Sequence, residues 1–108
     1  MSANINATLS ALAEPKRLQI VELLREGPLT VGEIAEKLEL LQPQTSKHLG
    51  VLNKAGLVEV KAQANMRIYK LCQQPFKDLD GWLSSFGHVW EERFDRLDEY
   101  LQKLQGKD

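Results

Sequence analysis

The chain has 108 residues, 43% of them apolar and 27% charged, and a formal net charge of −1. That length suits one domain with its own core and leaves no room for a second, and the apolar share sets the chain apart from disordered sequences. One cysteine, Cys72, excludes an intrachain disulfide framework, and no apolar run approaches the roughly 20 residues of a membrane span.

In chain order, Met1 to Asn4 lack the basic and apolar regions of a secretion signal, so a cytoplasmic protein is expected. Asn4 to Ala13 reads as a short helix carrying Ile5, Leu9 and Leu12 on one side. Pro15 opens a second helix, because its missing N–H is not needed in a first turn. Leu18, Val21 and Leu24 share a face there, with Ile20 and Leu23 beside it, and Gly27-Pro28 ends the helix. Thr30 and Glu33 form a capping box. Behind it Val31, Ile34, Ala35 and Leu38 follow at i, i+3, i+4 and i+7, the mark of an amphipathic helix.

A further helix begins at Gln42-Pro43 and runs to about Ala55, with Leu49 and Leu52 inward and Gly56 as its stop. Two short helices joined by a few residues make a helix-turn-helix, over about 30–55. The second helix holds Gln44, Thr45, Lys47 and His48 near its start and contains no acid. Leu57 to Lys61 alternates as a strand, and so does Met66 to Leu71. Ala62 to Asn65 must turn between them, with Asn65 suited to a positive φ. The expected product is a two-stranded wing over about 57–71. A helical segment, single or in two abutting pieces, follows over about 75–104. It carries Phe76, Leu79, Leu83, Phe86, Trp90, Phe94, Leu97, Leu101 and Leu104 at steps of three or four, with Gly81 and Gly87 as points of weakness.

Charge is unevenly spread. Between Leu41 and Leu71, five basic residues (Lys47, Lys54, Lys61, Arg67 and Lys70) face one acid, Glu59, for a net of +4, while the rest of the chain carries −5. A basic middle between acidic ends is the footprint of one nucleic-acid-facing side.

The strings Leu12-Ala13-Glu14-Pro15-Lys16-Arg17 and Leu29-Thr30-Val31-Gly32-Glu33-Ile34-Ala35 resemble the arsenic-repressor (ArsR/SmtB) family of winged helix-turn-helix regulators. So do Ser46-Lys47-His48-Leu49 through Leu52 to Ala55-Gly56-Leu57-Val58, and Arg67-Ile68-Tyr69-Lys70-Leu71. The aromatic tail Phe76, Trp82-Leu83, Phe86, Trp90 and Phe94 resembles a branch of that family without metal sites, whose members are often encoded beside a small START-like protein with a lipid-type pocket. Leu41 departs from the serine cap that the family often places before its recognition helix, and Ala64-Asn65 departs from its usual Gly-Arg wing tip.

The resemblance implies a homodimeric DNA-binding repressor acting on a palindromic operator, autoregulatory and released by a START-like partner or a small apolar ligand. The residues expected at DNA are Gln44, Thr45, Lys47 and His48 on the recognition helix and Lys61, Arg67 and Lys70 on the wing, with Ser46 packed or capping. Gln44 suits adenine, Thr45 a thymine methyl, and Lys47 guanine or phosphate. Family members dimerise through the first and last helices, which implies Ile5, Leu9, Trp90, Phe94, Leu97 and Leu101. Trp82, Phe86 and Trp90 could line a small apolar pocket between subunits.

No metal and no cofactor is expected. The family's cysteine pair would fall at Thr30 and Gly32, which supply no thiolate. His88 and Glu91, with Asp78 and Asp80, lack the nitrogen and sulfur set that tetrahedral zinc wants. The sequence shows no phosphate loop, no HExxH and no nucleophile–base motif, so no enzyme is expected. Three other readings stay open on sequence alone: a metal or thiol sensor of the same fold, a winged helix used for protein assembly, and activation in place of repression.

Overall fold

The computed structural model describes residues 4–106, with side chains described for 4–87 and 96–105. The elements in chain order are α1 (Ile5–Leu12), α2 (Pro15–Leu24), β1 (Leu29–Thr30), α3 (Val31–Leu38), α4 (Gln42–Lys54), β2 (Val58–Gln63), β3 (Met66–Leu71), α5 (Gln73–Ser84) and α6 (Gly87–Gly106).

Local chemistry sets most helix ends. Asn4 caps α1 by accepting the Ala7 N–H, and Glu14 caps α2 by accepting the Arg17 N–H, with Pro15 just inside. The Arg17 side chain turns back, and its Nε donates to the Ala11 carbonyl at 2.7 Å. That bond satisfies a carbonyl at the C-terminal end of α1 and locks α1 to α2. The Thr30–Glu33 capping box forms in both directions, at 2.8 and 3.1 Å. Helix α3 ends on Glu39, which sits in the left-handed region at φ 54°, and the Leu40 N–H reaches back to the Ala35 carbonyl at 2.9 Å. Only Glu39, Leu40 and Leu41 separate α3 from α4. Gly56, at φ 81°, reverses the chain after α4 and lets the Leu57 N–H bond the Leu52 carbonyl.

The core lies where α2, α3, α4 and the sheet meet. Ile20, Ile34, Leu49, Leu52, Leu57 and Val58 are sealed from solvent there, with Ala11, Val21, Leu24 and Tyr69 around them. Leu18, read on one face with Val21 and Leu24, is exposed, while Ile20, read beside that face, is fully buried.

The expected two-stranded wing forms as the β2–β3 hairpin, and β1 adds to it by pairing antiparallel with β3, giving a three-stranded sheet in the order β1-β3-β2. Leu29 lies opposite Tyr69 and Thr30 opposite Ile68, so the segment that caps α3 also seals one edge of β3. Of the two forms expected over about 75–104, the structure takes the abutting pair: the helices separate at Ser85 and Phe86, where the chain leaves α5 before Gly87 opens α6. Every described side chain of α6 from Arg96 to Gln105 is exposed. Leu97, Tyr100, Leu101 and Leu104 therefore present an apolar stripe to solvent. Trp82 and Phe86 meet edge to face at 5.1 Å between ring centroids.

Candidate nucleic-acid interface

Helix α4 carries its chemistry on the side away from the core. Thr45, Leu49 and Leu52 point inward at i, i+4 and i+7, which leaves Pro43, Gln44, Ser46, Lys47, Gly50 and Lys54 exposed. Gln44 and Lys47 are thus presented together on the first turns of a helix that contains no acid.

Thr45, expected to face DNA, does not. It is 0% exposed, and its hydroxyl donates to the Leu41 carbonyl at 2.9 Å, beside the backbone N–H of the same residue at 2.9 Å. A helical hydroxyl can return its proton to the carbonyl four residues back, so threonine fills a core position with its polar atom satisfied. Ser46, expected to be packed or capping, is exposed. His48 is half-buried, and its Nδ1 lies 3.9 Å from Glu14 Oε2, the same oxygen that accepts the Arg17 N–H. The imidazole faces the start of α2 as well as the flank of α4, which ties the seat of α4 to the α1–α2 corner.

The wing residues separate by strand parity. Arg67 lies opposite Ala62 in register with Tyr69 and Leu71, the inward residues of β3, so it extends the sheet face that packs on the helices and stands exposed near the tip. Lys61 lies opposite Ile68 and Lys70 opposite Glu59, on the other face. Lys70 Nζ bonds Glu59 Oε1 at 3.2 Å, so the wing's acid is set against one of its own cations. The three wing cations therefore do not form one cluster. The hairpin turns on Ala64 at φ 57°, whereas Asn65 was the residue expected there. A positive φ at the first central residue of a two-residue turn is where glycine ordinarily sits.

Of the residues expected at a dimer face, Ile5 is half-buried, while Leu9, Leu97 and Leu101 are exposed. The side chains of Trp90 and Phe94, like those of His88 and Glu91, lie outside the described residues. Trp82 and Phe86 are not among the residues that line one apolar cleft within the chain. That cleft, of about 600 Å³, opens between α2, the end of β3 and the start of α5, over Val21, Leu71, Cys72 and Phe76, with Arg25 and Lys77 at its rim. Burial pushes the Cys72 thiol above its ordinary range, and the Glu59 carboxylate adds to this while Lys70 opposes it. Among the described residues no group of three or more His, Cys, Asp or Glu side chains could hold a metal ion. Thr30 is occupied as a helix cap, and no described helix is long and apolar enough to cross a membrane.

Sequence reading missed Glu14 behind His48, which is visible in the sequence only as an acid before a proline. Leu41, singled out there as a departure from the serine cap, opens α4 with no side-chain cap and is 74% exposed.

The chain is similar to known transcription regulators. Residues 14–60 match the model of the bacterial regulatory protein, arsR family. The chain is 40% identical over 65 residues to a biofilm growth-associated repressor of Agrobacterium fabrum, a match spanning 60% of this chain and 56% of that protein. It is 38% identical to the transcriptional activator HlyU of Vibrio cholerae, over 70% of each chain. In three dimensions it is similar to the crystal structure of an ArsR family transcriptional regulator, RHA00566, with a TM-score of 0.73 and 29% identity over 84% of this chain and 97% of that one.

Proposed function

Because the chain belongs to the arsR family of bacterial regulatory proteins, whose members are DNA-binding transcription regulators and not enzymes, we propose that it is a repressor that binds a palindromic operator as a homodimer and represses its own operon. The observation that carries this reading is the exposed, acid-free face of α4, with Gln44 and Lys47 at its start and Arg67 on the helix-facing side of the wing. A recognition helix reads base edges with its N-terminal residues, and a wing cation holds the backbone beside it.

Dimerisation is supported by the solvent-facing Leu97, Leu101 and Leu104 of α6 and by exposed Leu9 on α1. An apolar helical stripe that is exposed among the described residues is the kind of surface that partners bury. Two-fold symmetry then pairs two copies of α4 with two half-sites. A regulator of this kind acts in the cytoplasm on double-stranded DNA. Release by a small apolar ligand is supported by the cleft over Val21, Leu71 and Phe76, whose volume lies in the range of small-molecule sites. A START-like partner protein is the alternative source of that signal.

The test is a titration of the protein onto DNA from upstream of its own gene and onto a scrambled duplex, at several salt concentrations. Selective binding that weakens steeply with salt is expected. Gln44→Ala should relax base preference by about 1–3 kcal/mol at one position, and Arg67→Ala should weaken all duplexes alike and flatten the salt slope. Sedimentation should show a dimer that Leu101→Glu dissociates. Equal binding to both duplexes at every salt would overturn the reading.

A further inference from the structure

We propose that Leu41 is a specificity-determining residue that packs against the 5-methyl group of a thymine in the operator; this rests on the DNA-binding reading above. Leu41 is the most exposed of the large apolar side chains described, at 74%. It stands at the N-cap of α4, the end that a recognition helix directs at base edges. Helices α1, α2 and α3 each begin on a residue whose side chain accepts a first-turn N–H, namely Asn4, Glu14 and Thr30. Helix α4, like α5, has no such cap, and its leucine neither caps nor enters the core. A side chain that serves neither purpose, at this place, is free to serve the ligand.

The surroundings choose the occupant. The exposed residues that follow Leu41 on the first two turns of α4 are Gln42, Pro43, Gln44, Ser46 and Lys47, polar or cationic apart from the proline. A protein partner buries a contiguous apolar patch, whereas one leucine among hydrogen-bonding and cationic groups matches one methyl among base edges and phosphates. The methyl of Thr45, the other candidate for this contact, is sealed in the core.

The experiment removes one methyl at a time. A tight-binding duplex is selected from a randomised pool, and each of its thymines is replaced singly by deoxyuridine. Wild type, Leu41→Ser and Leu41→Val are titrated against the set. At one thymine in each half-site, deoxyuridine should weaken wild type about fourfold, the worth of one buried methyl. The same replacement should leave Leu41→Ser unchanged and weaken Leu41→Val in the same direction as wild type. A serine cap that strengthens α4 shifts every duplex alike and cancels from this comparison. Equal deoxyuridine penalties for wild type and Leu41→Ser at all positions would overturn the role of Leu41 while leaving the DNA reading intact. Failure of the pool to yield any preferred sequence would overturn both.

Discussion

Thr45 separates a folding role from a reading role, and its two atoms of interest can be removed independently. In Thr45→Val the hydroxyl becomes a methyl of similar size. One neutral hydrogen bond, worth about 1 kcal/mol, is lost, and one more buried methyl returns about 0.8 kcal/mol. The Leu41 carbonyl keeps the Thr45 backbone N–H at 2.9 Å, so no acceptor is orphaned. Stability should stay within about 1 kcal/mol of wild type. Thr45→Ala removes the methyl and the hydroxyl together from a site that is 0% exposed, and should cost about 2 kcal/mol, more if the void fails to close. For a domain of this size that lowers the melting temperature by roughly 10 °C. Urea and thermal unfolding at one fixed protein concentration read the stabilities, since a dimer's stability depends on concentration. Titrations of operator and scrambled duplex read the selectivity, which should change less than about twofold for both variants. If Thr45→Ala melted with wild type yet lost operator preference about tenfold, the inward placement of Thr45 would be wrong.

The remaining predictions concern the wing, two acids and the thiol. Ala64 holds φ 57°, so Ala64→Gly should change the urea midpoint little, with relief of strain offset by chain entropy, while the β-branched Ala64→Val should lose more than about 1 kcal/mol. Hydrogen bonds from the Thr30 backbone N–H, then the Thr30 side-chain contact, then the Lys37 charge, hold the Glu33 carboxyl below the usual glutamate range. Its contribution is therefore complete above the ordinary glutamate pKa and is lost as pH falls through the lower, folded value; urea midpoints followed from neutral to acid pH should fall less steeply for Glu33→Gln than for wild type. Cys72, pushed up by burial and by Glu59, should react with iodoacetamide more slowly than the unfolded chain at the same mildly alkaline pH, and Glu59→Gln should speed it by removing the acid and freeing Lys70. Glu14→Ala should cost about 1 kcal/mol through the lost cap of α2 in urea unfolding, and Glu14→Asn should recover most of it.

What the sequence discloses about this fold is mostly what neighbours do to each other. Thr30 with Glu33, Pro15 after Glu14, and Gly56 after Ala55 each mark a helix end through bonds that close within a few residues, and each stands where the pattern puts it. The hidden features are those that need a distant partner. Two residues, Leu29 and Thr30, have no periodicity to show, and become a strand only because Tyr69 and Ile68 arrive beside them. Strand alternation alone splits Arg67 from Lys70, but the β2–β3 register places Lys61, and which face looks inward is decided by Tyr69 meeting the core.

The recognition helix shows both kinds of information in one element. The spacing of 45, 49 and 52 is a core spacing whatever the residues are, yet threonine looks like a reader of DNA because its hydroxyl suggests solvent. The i−4 carbonyl of Leu41 removes that objection locally, so burial costs little. His48 goes the other way: nothing near it in sequence discloses the contact between its Nδ1 and Glu14. One carboxylate oxygen of Glu14 accepts the Arg17 N–H and faces His48, while the Arg17 guanidinium holds the end of α1. The cap of α2, the end of α1 and the seat of α4 are therefore not independent. Three side-chain contacts link α1, α2 and α4 at this corner, and the Glu14-Pro15-Lys16-Arg17 string is the part of the sequence that makes it.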